Sequence, residues 1–208
     1  MKTNTPPSVA SQSVVLRYFV PEDAPKIYAM SQELSLRTWL PDEVYESEAS
    51  ALEVLFYLID KCRDPGSPVC GPYVLAVCLG SSLELIGHVG LSPLKREVAD
   101  RLGVVGHGGG GDQEAEVEVG YAIEEKHQGR GFASEAVGAM VNWALHRFYL
   151  PRVLGIVVKD NAASCRVLEH AGFALASEAR GSLHGRPGLI RIYHRAWRAG
   201  AESGYPNA

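Results

Sequence analysis

The stretch IEEKHQGRGFASEA, residues 123–136, constrains the fold of this chain more than any other. Before it, EVEVGYAIEE (116–125) alternates apolar and polar residues at the period of a strand. After it, Ala133, Val137, Met140, Ala144 and Phe148 fall on one helical face, with Ala136, Val141 and Leu145 beside them. A strand therefore passes through a short polar turn and Gly129-Arg130-Gly131 into a long helix with a buried face. The first-turn amides of such a helix have no partner inside it, and with the helix dipole they make an anion site. Glycines at that junction let backbone approach a ligand without a Cβ between them. On these residues alone the two glycines also read simply as the end of a loop.

The rest of the chain alternates strands and helices. VVLRYFVPEDAPKIYAMSQ (14–32) begins as a β-branched and aromatic run, then turns helical at Pro21, Glu22 and Asp23. SEASALEVLFYLIDKC (47–62) places Leu52, Leu55, Phe56 and Ile59 at helical spacing. YVLAVCL (73–79) and LELIGHVGLSPL (83–94) flank the turn signal LGSS and predict a hairpin. RVLGIVVKD (152–160) predicts a strand, NAASCRVLEHAG (161–172) a capped helix ended by Gly172, and FALASEA (173–179) and LIRIYHRAW (189–197) a last strand pair flanking the turn-rich RGSLHGRPG. The glycine-rich EVADRLGVVGHGGGGDQEA (97–115) predicts a flexible insertion without regular structure.

At 208 residues the expectation is one principal domain, here 14–198, between a polar lead-in at 1–13 and a tail at 199–208. The lead-in has no apolar run for a signal peptide, and no stretch is long enough to span a membrane. A net charge of -4 offers no basic stripe, which argues against nucleic acid and leaves a cationic acceptor easier to accommodate. Cys62, Cys70, Cys78 and Cys165 show neither a C-x-x-C pair nor a histidine at ligand spacing, so they predict reduced thiols of a cytoplasmic protein and no metal site.

Gly106, Gly108 and Gly111 fit G-x-G-x-x-G, but the following DQEAEVEVG is strand-like. No helix N-terminus is available there to receive a pyrophosphate, so a dinucleotide site is not expected.

QGRGFA (128–133) matches the pyrophosphate-loop pattern of the GNAT superfamily of acyl-CoA-dependent N-acyltransferases: Gln or Arg, two residues, Gly, one residue, then Gly or Ala. EVGYAIEEKHQGRGFASEA, NAASCRVLEHAGF, LRYFVPEDA and IGHVGL together resemble its branch of ribosomal-protein alanine N-acetyltransferases, over about residues 14 to 197. The resemblance implies an α+β fold: a mixed, mostly antiparallel sheet of six to seven strands, splayed in the middle and flanked by about four helices. It implies transfer of an acetyl group from acetyl-CoA to a primary amine, at a protein N-terminus or on a small molecule, and it leaves a homodimer open. A non-catalytic acyl-CoA-binding module is the contrasting expectation.

The resemblance also assigns residues. The pantetheine arm would bond to strand backbone near Val119, Tyr121 and Ile123, and the pyrophosphate to Gln128, Gly129, Arg130, Gly131, Phe132 and Ala133, with Arg130 adding charge. Asn161 would bond the pantetheine, and Ser164 would protonate the departing thiolate. Read locally, Asn161 is an N-cap and Ser164 a small first-turn residue. Amine attack requires a base, because an ammonium has no lone pair. Glu118 is the candidate and Glu116, on the same face, the reserve; a solvated or ion-paired glutamate is the alternative for either. His127 and His88 read as surface or hydrogen-bonded residues, while Tyr193 fits either an acceptor cavity or sheet packing. HGRPG departs from the aromatic and acidic residues that the branch carries after HGR, which bears on acceptor recognition.

Overall fold

Among the described residues, seven strands form one sheet and six α-helices cover its two faces. The structure, a computed structural model, describes residues 13–63, 67–104 and 116–196. The strands are β1 (Val14–Arg17), β2 (Tyr73–Leu79), β3 (Leu85–Pro93), β4 (Val117–Ile123), β5 (Arg152–Val158), β6 (Ala174–Leu183) and β7 (Arg186–Ala196). The helices are α1 (Ala24–Ser31), α2 (Leu34–Trp39), α3 (Glu48–Arg63), α4 (Arg96–Leu102), α5 (Phe132–Arg147) and α6 (Ala162–His170). Strand order is β1-β2-β3-β4-β5-β7-β6, and every neighbouring pair is antiparallel except β4 with β5.

The long α5 lies on one face because Ala136, Val137, Met140, Val141 and Ala144 are buried against Val119, Ile86 and Val89 of the sheet. α1 and α3 cover the other face over β2, through Ile27, Met30, Ala51 and Leu55. The buried side of α3 runs through Ala51, Leu55 and Cys62, whereas Phe56, expected in the apolar stripe, is 54% exposed. α4 packs its Leu102 against Val158, Ile190 and Ile192.

Two expectations are corrected. The segment beginning at residue 97 is not uniformly irregular: REVADRL forms α4, which ends where Gly103 turns left-handed at φ 65°. The Gly-rich run 106–111 lies outside the described residues. RGSLHGRPG is mostly strand, because β6 and β7 need only His184 and Gly185 between them, at φ 50° and 76°. A two-residue hairpin turn of that kind requires positive φ at both positions. The four expected helices become six by the addition of α2 and α4, six and seven residues long and too short for periodicity to reveal. Among the described residues no helix is long and apolar enough to cross a membrane.

Candidate functional site

β4 and β5 share a single registered position, Glu118 opposite Leu154. Beyond it the strands part, and a cleft of about 670 Å³ opens between them, within the size range of small-molecule sites. Leu94 N donates to Glu116 O at 2.7 Å and Glu124 N to Ile86 O at 2.8 Å, so the even positions of β4 bond to β3. The odd positions, Val119, Tyr121 and Ile123, therefore turn their main-chain groups toward the gap. One of these groups is occupied, since Gln128 Nε2 donates to Ile123 O at 2.8 Å. The Gln128 side chain thus holds the loop onto the strand.

Gly129 and Gly131 sit at φ 73° and 85°, and a Cβ on either would meet no atom within 4 Å. Their requirement is conformational, and the space beside them is open. α5 starts at Phe132 with no side chain capping Gly131, leaving its first-turn amides facing the cleft end lined by Gly129, Gly131, Phe132 and Ala133. Those residues suit a pyrophosphate. Arg130 stands outside this lining: its guanidinium lies 4.9 Å over the Phe132 ring, with Nη1 3.5 Å from His127 Nδ1.

α6 supplies the second wall. Gly155 on β5 lets it approach, because a Cβ there would come within 2.6 Å of Leu168 Cδ2. Asn161 Oδ1 accepts from Ser164 N at 3.0 Å, so the capping role is formed. Ser164 Oγ lies 2.7 Å from Tyr121 Oη, and the phenol donates to Ser164 O at 3.1 Å. With the phenol proton on that carbonyl, the serine hydroxyl donates to the phenol oxygen. Burial holds the Tyr121 phenol well above its ordinary pKa. The residues alone named Tyr121 for its backbone and gave no sign of its side chain.

Side chains alternate along β4, so Glu118 and Tyr121 project to opposite sides of the sheet. Tyr121 packs with the α5 core; Glu118 faces the charges of His184 and Lys95. Burial raises the Glu118 pKa above the ordinary glutamate value, and the Coulombic pull of His184 and Lys95 only partly offsets it. Glu116 differs: Arg152 grips it with Nε to Oε2 at 3.0 Å and Nη2 to Oε1 at 2.7 Å. It is engaged in an ion pair with β5.

The Glu118 side of the cleft is roofed by α2, the 3-10 turn Pro41–Glu43 and the β6–β7 turn. His184 Nδ1 meets Asp42 Oδ2 at 3.0 Å, and Arg186 stacks 4.8 Å from the Trp39 ring centre. Pro187 and Gly188 lie in register with Ser182 and Gly181, so the departure at HGRPG is accommodated inside the hairpin. Hidden from sequence were His184, Asp42 and Trp39, which only the fold brings together.

The remaining candidates are structural. His88 Nε2 pairs with Glu43 Oε2 at 2.9 Å. Tyr193 is fully buried and donates to Glu169 Oε1 at 2.9 Å, which settles it as sheet packing. His127 is 8% exposed and packs beside Phe132 at 6.3 Å between ring centres.

Residues 13–174 match the family model of an acetyltransferase (GNAT) domain. Among curated proteins, the uncharacterized N-acetyltransferase YjdG of Bacillus subtilis (strain 168) is 32% identical over 82 residues, 39% of this chain and 49% of that protein. The match thus spans about half of that relative's length. Among solved structures, the ribosomal-protein-S5-alanine acetyltransferase of Vibrio fischeri superposes with TM-score 0.67 at 20% identity, over 90% of this chain and 94% of that one. The microcin C7 self-immunity acetyltransferase MccE, in complex with acetyl-CoA and AMP, gives 0.68 at 14% identity, over 93% and 99%. At such identities these two establish a shared fold.

Proposed function

The chain belongs to the acetyltransferase (GNAT) family, and from that premise we propose that it transfers an acetyl group from acetyl-CoA to a primary amine. One observation carries the reading: the β4–β5 gap has Glu118 on one side of the sheet and the Tyr121–Ser164 pair on the other. Acetyl-CoA, when bound, supplies an activated thioester. Gln128 to Ala133 hold the pyrophosphate through main-chain amides, and the edge of β4 at Val119, Tyr121 and Ile123 orients the arm. Glu118 accepts the proton that the ammonium must lose, directly or through water, and its burial suits it to that exchange. Ser164 Oγ turns its proton from the Tyr121 oxygen to the departing sulfur and is reprotonated through water as Glu118 releases the proton taken from the amine, while the Tyr121 phenol keeps the hydroxyl in position. An amide at the open edge of β4 stabilises charge gathering on the carbonyl oxygen.

On the acceptor side Asp42 and Glu43 are already paired with His184 and His88, which leaves Glu118 as the carboxylate to meet the incoming amine, at a peptide N-terminus or on a small molecule. The test is release of free thiol from acetyl-CoA by the purified protein, with N-terminal peptides in one arm and small amines in the other. Acceptor-dependent release in either arm supports transfer and identifies the source. Calorimetric binding of acetyl-CoA without release above background for any acceptor would leave an acyl-CoA-binding module instead.

A further inference from the structure

The turn between β2 and β3 carries Glu84 against the short 3-10 turn Glu125–His127 that leads into the glycine loop. One ligand-type atom from each of Glu84, Glu124 and His127 lies within 4.8 Å of the other two. His127 Nε2 is 3.5 Å from Glu84 Oε1 and 3.7 Å from Glu124 Oε2. His127 is nine-tenths buried, and its Nε2 and Glu124 Oε2 are both buried without a hydrogen-bond partner. Two orphaned buried polar atoms facing each other are costly unless something satisfies both. A proton is poorly placed to do so at 3.7 Å; a cation that accepts a lone pair from each is well placed.

The two spacings from His127 agree with such an ion. Four ligands at about 2.0–2.2 Å in a tetrahedron stand roughly 3.3–3.6 Å apart, close to the two His127 distances. Two carboxylates and a neutral imidazole balance a double positive charge, and the nitrogen ligand favours a transition metal over Mg²⁺. Glu124 can serve monodentately, because its Oε1 is held by Lys26 Nζ at 2.6 Å while its Oε2 has no hydrogen bond and only the 3.4 Å ion-pair contact of Lys126.

We propose that Glu84, Glu124 and His127 form a site for a first-row divalent cation, Zn²⁺ above Mg²⁺, for which Lys126 is a displaceable competitor. Lys126 Nζ lies 2.9 Å from Glu84 Oε1 and 3.4 Å from Glu124 Oε2, on a side chain that is 55% exposed and has room to swing away. The metal replaces its single charge and takes a water as fourth ligand. Bound there, it ties the β2–β3 turn to the segment that positions Gln128. Glu84 and His127 are 43 positions apart in the chain, so no ligand spacing in the sequence could announce the site.

The full-length protein, freed of metal by chelator dialysis, is titrated with Zn²⁺ and with Mg²⁺ by calorimetry. One Zn²⁺ per chain is expected, with Mg²⁺ inert. Glu84→Gln weakens Zn²⁺ binding by about tenfold or more, and Lys126→Met tightens it. The Lys126 and Glu84 side chains are 55% and 42% exposed, so neither variant threatens folding. A Co²⁺-loaded sample shows a nitrogen and oxygen spectrum without thiolate charge transfer, separating this site from the cysteines. Absence of Zn²⁺ binding at roughly 100 µM, binding indifferent to both substitutions, or a thiolate spectrum overturns the proposal.

Discussion

Tyr121 Oη and Ser164 Oγ stand 2.7 Å apart, joining β4 to α6 beside the gap where β4 and β5 separate. If this pair returns a proton to sulfur, Ser164→Ala lowers kcat by about 10- to 100-fold with little change in KM for acetyl-CoA. Tyr121→Phe leaves the serine in place but unheld, so its loss is smaller. Steady-state kinetics of the two variants and of the double variant check this, and equal, additive losses would show that the hydroxyls do not act as a unit.

Glu118→Gln removes the proposed base and lowers kcat/KM by about 10²- to 10⁴-fold. Because burial raises the Glu118 pKa, the acid limb of the wild-type pH profile falls above the ordinary glutamate value of 4.5, and the variant lacks that limb. The sign for stability is the reverse. A carboxyl whose folded pKa is raised weakens the fold once it is ionised, so the variant is as stable as wild type at neutral pH, or more so. Thermal melts beside rate measurements separate the two effects.

Glu116→Ala behaves oppositely. It removes the two-point grip on Arg152, whose side chain is 16% exposed, and costs about 1.5–3 kcal/mol of stability by chemical denaturation, the range for hydrogen bonds to a charged group. Its kcat stays within about twofold of wild type if Glu118 alone accepts the proton.

Gly131→Ala forces a Cβ onto φ 85°, at a cost of about 1–2 kcal/mol. The Cβ also enters the space where the pyrophosphate would lie. A rise in KM for acetyl-CoA beyond that of an equally destabilised core variant is the expected reading, and an unchanged KM would remove the loop from cofactor binding.

The Glu43–His88 pair predicts a pH-dependent melt. Burial opposes the charge on both, yet each outweighs that penalty for the other: the His88 pKa is raised and the Glu43 pKa lowered. The histidine's contribution is complete below its unfolded value of about 6.5 and is lost as pH rises through the folded value. The carboxylate's is complete above about 4.5 and is lost on acidification through its lowered value. His88→Gln should flatten the Tm profile on the alkaline side; an unchanged slope would show that the pair contributes nothing.

What the residues could announce depended on distance along the chain. Strand β4, the glycine step and α5 are contiguous, so their periods switch in plain view from two to 3.6. α2 and α4 span fewer than two full turns, and no stripe can develop over that length. Glu116 and Glu118 are indistinguishable at period two until Arg152 of β5 claims one of them. Tyr121 and Ser164 are 43 residues apart, and Asp42 and His184 are 142 apart. Their meeting is a property of the sheet order, which puts β4 beside β5 and folds the β6–β7 tip back over the 3-10 turn.

The lone rung between β4 and β5 is, in effect, a sheet edge turned inward. An unpaired edge is ordinarily a weakness that proteins cover. On the proposed reading the acyl donor covers this one, lying along it as a temporary strand, and the fold gains the binding free energy each time it does so. Protease resistance that is equal with and without acetyl-CoA would break that link. Where it holds, donor and fold are linked, and saturating acetyl-CoA raises Tm together with protease resistance.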